Sequence, residues 1–453
     1  MKQDCRIQLS NVHLQALIER RRKFMNAIGS GIAILSSAKS SGGPSGDRAT
    51  YRQDSDFLYL TGCPEPHSVA VFVPQGKEEK SILFVREQEA QSELWNGPML
   101  GLSGAREVLG FDAVHSIADL EKKLPQLLNF ADTIYWDSSS QQEFHEQLSP
   151  LLLGSRLRKY GAEILNVRDV VHELRLFKDQ FEIESLRTAN AIASAAHEAA
   201  MGFSRPAVHE YQVQAVLESV MRSRGSSQLG YPSIVAGGSN ACCLHYNVNS
   251  CRVENNELLL IDAGCEWNFL TADITRTFPV SGKFTAEQKE IYELTLSAQK
   301  AAIEALRPGV LFSQVGELAA RVLIDGLLHL GLLSGTPDSI LESQKHKAFF
   351  PHSLGHFLGL DVHDVGRYRI KNVERPLEAG MVVTIEPGLY VQPDCVTVDE
   401  RWRGIGVRIE DNVLITNDGH ENFTSCVKSV EDVEAAVGQM HSEVKSFFSF
   451  HSL

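Results

Sequence analysis

The sequence predicts two domains in tandem, an α/β N-terminal domain over residues 1–170 and an α+β C-terminal domain over residues 171–453. Three observations predict this. Short β-rich runs alternate with amphipathic runs through the first third of the chain. The pattern changes to long helices around Val167 to Leu176. Beyond that point a helix pair followed by a strand-rich segment occurs twice. At 453 residues the chain also exceeds what one ordinary core can organise.

In the first domain SVAVFVPQ (Ser68–Gln75), KSILFVRE (Lys80–Glu87) and TIYWDSS (Thr133–Ser139) are expected as strands from their β-branched content. They are separated by amphipathic stretches such as Ser116 to Leu128. GGPSGD, Gly42 to Asp47, reads as a loop from its Gly, Pro and Ser content. In the second domain Phe181 to about Arg224 reads as two helices broken at Ser204–Pro206. Thr285 to Leu333 repeats that plan with its break at Arg307–Gly309. Each unit opens on Ile followed three residues later by Leu (Ile183 and Leu186, Ile291 and Leu294), a weak similarity that fits either an internal duplication of helix pair plus sheet or coincidence.

Composition excludes several classes. A formal net charge of −14 opposes a phosphate backbone, so a nucleic-acid partner is not expected. No run reaches the roughly 18 apolar residues of a membrane span, and the first residues lack a signal-peptide apolar region. The eight cysteines form no CxxC pair and no disulfide framework, which points to reduced thiols and a cytoplasmic location. An organellar matrix is the rival location, since the first 25 or so residues form a basic amphipathic pattern, although Asp4 and Glu19 oppose it.

Four segments carry candidate chemistry. In ELLLIDAGCEWNFLTADITRTFPV, residues 257–280, two strand-like runs join near Trp267–Asn268, and Asp262 and Asp273 lie equally far from that midpoint. As a cross-strand pair their Cβ atoms would stand roughly 5 Å apart, where like charges repel unless a cation intervenes. The plainer alternative is two exposed strand aspartates. PHSLGHFLGLDVHDVG, residues 351–366, brings His352, His356 and His363 together beside Asp361 and Asp364. A lone histidine would more often be a core residue, but imidazole is a common metal ligand. In MVVTIEPGLY a buried-type strand delivers Glu386 to a Pro–Gly turn, and in GIGVRIEDNVLIT alternation puts Arg408 and Glu410 on one face. A surface ion-pair ladder is the plainer alternative for that last pair.

Together two Asp, one His and two Glu suffice to hold two metal ions about 3.5–4 Å apart. Carboxylate-rich ligation with a single imidazole favours Mn²⁺ over a closed Cys/His zinc site. No phosphate-binding loop, GxSxG, HExxH or dinucleotide fingerprint competes.

The order IDAG, DITRTF, HSLGHFLGLDVHD, TIEPGLY, GIGVRIEDN resembles the pita-bread metallopeptidases, and within them aminopeptidase P. TYRQDSDFLYLTGCPEP and LFVREQEAQSELWNG are similar to the N-terminal domain of the aminopeptidase P and prolidase group. The resemblance implies a pita-bread catalytic domain whose ligands are Asp262, Asp273, His356, Glu386 and Glu410. It also implies that His245 helps hold a tetrahedral intermediate, that His352 and His363 flank the metal ligand, and that Arg408 hydrogen-bonds within the site. Tyr390 is then expected near the bound peptide, and Trp95 at a neighbouring subunit's site in a dimer or tetramer. The implied activity is release of the first residue from peptides with proline second, with a metal-bridging hydroxide as nucleophile and Glu386 as proton shuttle. Prolidase action on Xaa-Pro dipeptides, with Arg375 or Arg367 holding the proline carboxylate, is the nearest alternative. A non-catalytic binding member of the family is a second.

Overall fold

The computed structural model describes residues 9–39, 51–129, 131–137, 144–152 and 161–440. The loop expected at 42–47 lies outside them. The chain divides into two compact units, Met1–Arg175 and Leu176–Leu453. The boundary expected at 170/171 falls inside the helix Arg168–Arg175, whose last residue closes the first unit.

The first unit is built on a six-stranded sheet. Its strands are β1 (Ile32–Ser36), β2 (Val69–Phe72), β3 (Ser81–Val85), β4 (Ala113–Ser116), β5 (Thr133–Tyr135) and β6 (Glu163–Leu165), in the order β4-β3-β2-β1-β5-β6. β1, β2 and β3 pair antiparallel, while β3–β4, β1–β5 and β5–β6 are parallel. β1, β2 and β3 are buried along their whole length, which their continuous apolar runs require of a sheet covered on both faces. The helix Leu120–Leu128 buries Leu120, Leu124 and Leu128, the four-residue spacing of one helical face.

The second unit contains the expected helix pairs. Gln180–Phe203 and Glu210–Ser223 form the first, and Ala286–Ala305 and Phe312–His329 the second. The leading helix of each pair starts at a capping box, Asp179 with Glu182 and Thr285 with Gln288, so orphan N–H groups at each start are satisfied reciprocally. Each pair leads into a three-stranded antiparallel meander. The first consists of β7 (Ile234–Gly237), β8 (Leu258–Asp262) and, after a hairpin of β9 (Glu266–Trp267) with β10 (Leu270–Thr271), β11 (Thr275–Pro279). A small exposed hairpin, β12 (Arg369–Ile370) with β13 (Val373–Glu374), precedes the second. That meander is β14 (Val382–Ile385), β17 (Asp411–Ile415) and β18 (His420–Asn422), with the pair β15 (Gly388–Tyr390) and β16 (Gly406–Arg408) inserted between. The core of this unit gathers Ile261, Ile274 and Phe278 from the first meander and Val383, Ile385 and Val413 from the second. Among the described residues no helix is long and apolar enough to cross a membrane.

The register of the first meander differs from expectation. Asp262 faces Thr275, not Asp273. The turn sits at Asn268 and Phe269, both at positive φ (52° and 66°), so the hairpin closes one residue later than a midpoint at Trp267–Asn268. The shift of pairing is two residues, which keeps both aspartates on one face as diagonal neighbours. Gly264 allows the close approach, because a Cβ there would lie 1.7 Å from the Ala272 carbonyl oxygen.

Candidate metal centre

Four strand ends deliver carboxylates to one place. Asp262 ends β8, Asp273 precedes β11, Glu386 follows β14, and Glu410 bridges to Thr275 between β16 and β17. The histidine comes from the irregular segment 351–366, which Phe357 pins to Val383 of β14 through an isolated bridge. Gly355 lies so close to β14 that a Cβ would meet the Thr384 carbonyl oxygen at 2.0 Å. A larger residue would lift His356 off the strand.

Ligand atoms of Asp273, His356 and Glu410 all lie within 4.8 Å of one another. His356 Nδ1 faces the Phe357 carbonyl at 2.9 Å, which assigns its proton there and leaves the Nε2 lone pair for the cluster. Nε2 stands 3.3 Å from Asp273 Oδ2 and 3.5 Å from Glu386 Oε1. A lone pair aimed at two carboxylate oxygens is repulsive unless a proton or a cation lies between them, and this arrangement fits a divalent metal with oxygen and imidazole donors.

The electrostatics agree. Burial pushes Glu410 well above the usual carboxylate range, and repulsion from Asp273, Glu386 and Asp262 adds to it. Burial also raises Asp262, with Arg408 opposing and Asp273 reinforcing, and pushes Glu386 up to about 7, against the pull of His356 and Arg408. Burial would raise Asp273 too, but a proton shared with His356 Nε2, in the place a cation would take, holds it below its ordinary value. For His356, burial alone would lower the pKa, and the contact with Asp273 and the charge of Glu386 overcome it, raising it to about 9. Four carboxylates thus face one guanidinium and one chargeable imidazole, since His352 beside Glu386 is neutral, a shortage of positive charge that bound cations would remove.

Supporting hydroxyls fix the ligands. Tyr231 offers one hydroxyl to both aspartates, at 2.6 Å to Asp262 Oδ1 and also in contact with Asp273. Thr384 Oγ1 accepts the His356 N–H at 3.0 Å and donates to Glu386 Oε1 at 3.2 Å. Thr275 Oγ1 donates to Glu410 Oε2 at 2.7 Å and accepts from Arg408 Nε at 3.1 Å. Asn412 Oδ1 accepts the Asp273 N–H at 2.8 Å. None of these four was singled out in the sequence. Tyr231 stands in a Gly–Tyr–Pro run that reads only as a turn, and a threonine in a strand reads only as β propensity.

Arg408 pairs with Asp262 at 2.6 Å and not with Glu410, which removes the ion-pair ladder suggested by alternation. Its Nη1 donates to the Tyr390 hydroxyl at 2.9 Å, and that hydroxyl meets His352 Nε2 at 3.0 Å. Burial and the Arg408 charge press His352 down to about 4, so its imidazole is neutral. His363 stands edge-on to His356, ring centres 4.4 Å apart. A cavity of about 360 Å³ opens over the cluster, lined by the five candidate ligands with Arg408, His245, His352 and His363. Tyr390 does not line it. It is 1 % exposed, and its hydroxyl meets Arg408 and His352, which do line the cavity. Trp95 lies in the first unit, on the helix Ala90–Asn96, and is 79 % exposed.

A cavity floored by carboxylates and one imidazole, each held by a second partner, defines a metal-dependent hydrolase. The chain belongs to metallopeptidase family M24, whose model matches residues 184–417, and residues 17–135 match the aminopeptidase P N-terminal domain. It is 40% identical to the Xaa-Pro aminopeptidase of Escherichia coli over 94% of this chain and 98% of that protein. Aminopeptidase PepP of Pseudomonas aeruginosa superposes with a TM-score of 0.90 at 39% identity, covering 97% of this chain and all (100%) of that one. Zinc-substituted Escherichia coli aminopeptidase P in complex with product gives 0.89 at 38% identity, covering 96% and 100%.

Proposed function

We propose that Asp262, Asp273, His356, Glu386 and Glu410 hold two divalent cations and that the chain is an exopeptidase releasing the first residue from peptides with proline second. The observation that carries this is the convergence of Asp273, His356 and Glu410 to within 4.8 Å, with Asp262 and Glu386 beside them under the cavity. Bound there, the cations would supply Lewis acidity and a water acidic enough to attack a carbonyl at neutral pH. The donor set favours Mn²⁺.

The chain's own groups divide the remaining work. Glu386 is the proton shuttle, at the edge of the cluster beside His356 and held by the Thr384 hydroxyl. Asp262, oriented by Arg408 and Tyr231, anchors the free amine of the substrate, which restricts cleavage to a chain start. His245 and His363, both on the cavity wall, face charge developing on the carbonyl oxygen. His352 is held by Tyr390 and Ser353, and its place on the wall suits it to orient the peptide.

One observation favours an aminopeptidase over a prolidase. A dipeptidase must hold the proline carboxylate with a positive group, yet neither Arg375 nor Arg367 lines the cavity, and Arg408 is committed to Asp262, Thr275 and Tyr390. The exposed Trp95 supports a homo-oligomer in which it reaches a second copy, and the free cysteines Cys63, Cys242, Cys243, Cys251, Cys265, Cys395 and Cys426 support a reducing, cytoplasmic location.

The test is product analysis of Mn²⁺-loaded protein on Xaa-Pro-Yaa, Xaa-Pro and a proline-free tripeptide, each repeated after chelation, alongside Asp273→Ala. Release of Xaa from the first substrate, faster than from the dipeptide and absent in a folded Asp273→Ala, is expected. Preference for the dipeptide makes the chain a prolidase, and full activity in Asp273→Ala overturns the site.

A further inference from the structure

Glu210 is the first residue of the helix Glu210–Ser223 and is completely buried (0 % exposed). A carboxylate out of water needs several donors, and every donor found here belongs to one loop. That loop leaves β7 at Gly237 and returns at Cys251. At its departing end Glu210 Oε1 accepts from the Gly237 N–H at 2.8 Å and from Asn240 Nδ2 at 2.9 Å. At the returning end Oε2 accepts from the Tyr246 hydroxyl at 2.7 Å and from the Cys251 N–H at 2.8 Å. The Glu210 N–H closes the ring by donating to the Cys251 carbonyl at 2.9 Å.

Between these ends the loop makes one short 3₁₀ helix, Gly238–Cys242, and is otherwise irregular, and its Leu244, His245 and Asn247 line the cavity. His245 is exposed and directly precedes Tyr246, whose hydroxyl is tied to Glu210. We infer that Glu210 is a positioning residue for His245: it fixes both ends of the loop, and through Tyr246 sets how far the imidazole stands over the metal cluster. The inference rests on the functional reading above, in which His245 faces the developing oxyanion. Two oxygens with four donors leave no spare acceptor. A glutamine would therefore turn an NH₂ group against one of these donors and loosen that end, while the Asn249 side chain keeps its own bonds to Val235, Gln214 and Ser233.

The test is a double-mutant cycle of Glu210→Gln with His245→Ala on an Xaa-Pro-Yaa substrate, with metal content and hydrogen exchange of residues 238–250 measured on each protein. Glu210→Gln is expected to lower kcat by up to about 100-fold, the scale of a misplaced catalytic group, with KM little changed. In the His245→Ala background the same change is expected to alter kcat by less than about twofold, since the group it positions is gone. Metal content stays at the parental value and exchange across 238–250 accelerates. A Glu210→Gln loss that multiplies in full onto His245→Ala, or a parental kcat, overturns the inference. Tyr246→Phe removes a single bond, serves if Glu210→Gln fails to fold, and must show the same coupling at smaller size. Should His245→Ala keep full activity, the functional reading fails; unchanged exchange at 238–250 in Glu210→Gln refutes the positioning role independently.

Discussion

Arg276→Met separates what holds the catalytic unit together from what acts in it. Arg276 and Asp411 are both completely buried and meet at 2.8 Å. The guanidinium spends all five N–H groups. Nε donates to the Val427 carbonyl at 3.1 Å, Nη1 to those of Thr275 and Glu410 at 2.9 and 2.8 Å, and Nη2 to Asp411 and the Cys426 carbonyl at 2.8 and 2.9 Å. Removing one partner of a buried pair costs about 3–5 kcal/mol. Lys428 and Asn422 also donate to Asp411, which places the expected loss near the lower end, about 3 kcal/mol or on the order of 100-fold in the opening equilibrium.

The sign of the pH dependence follows from Asp411. Burial would raise its carboxyl, yet Arg276, Lys428 and Asn422 hold it down at about 2. It therefore contributes stability that is present above its unfolded value of about 3.9 and lost as pH falls toward 2, about 2–3 kcal/mol in all. In Arg276→Met the folded value moves up toward the unfolded one, so acid opening begins at higher pH. The assay is urea and acid titration read by hydrogen exchange of the peptide 406–416, because a chain of two units does not unfold as one. An unfolding free energy within about 1 kcal/mol of the parent, with the same acid midpoint, refutes the reasoning.

Tyr231→Phe withdraws the hydroxyl shared by Asp262 and Asp273, and is expected to weaken metal binding by about 10–100-fold in competition with a chelator; an unchanged affinity contradicts its supporting role. Thr384→Val keeps the shape of a buried side chain but strands the His356 N–H, with an expected loss of about 1–3 kcal/mol in thermal unfolding that Thr384→Ser restores. Equal melting of Thr384→Val and parent counts against it.

The candidate ligands were legible because each of three carboxylates ends or follows an apolar run, as in LLLID, VVTIE and GVRIE, and a charge at the end of a buried strand needs a partner. The histidine segment was legible from three imidazoles within twelve positions. The diagonal register of Asp262 and Asp273 was not, since nothing in the sequence announces that Phe269 takes a left-handed backbone. Alternation placed Arg408 beside Glu410, but strand pairing stops at Ile409 and the guanidinium turns to a carboxylate 146 positions away. Tyr231 reaches across 31 and 42 positions. Contacts of that range depend on how the two meanders come together, and local periodicity carries no information about it.

The origin of the donors has a consequence for biosynthesis. Asp262 and Asp273 belong to the first meander, whereas His356, Glu386 and Glu410 arrive only with the second. A growing polypeptide on the ribosome presents two hard oxygen donors long before the imidazole exists, too few to capture a transition ion in competition with the surrounding pool. On the proposed ligand set, the full complement of donors exists only after residue 410 has been made and both meanders have formed.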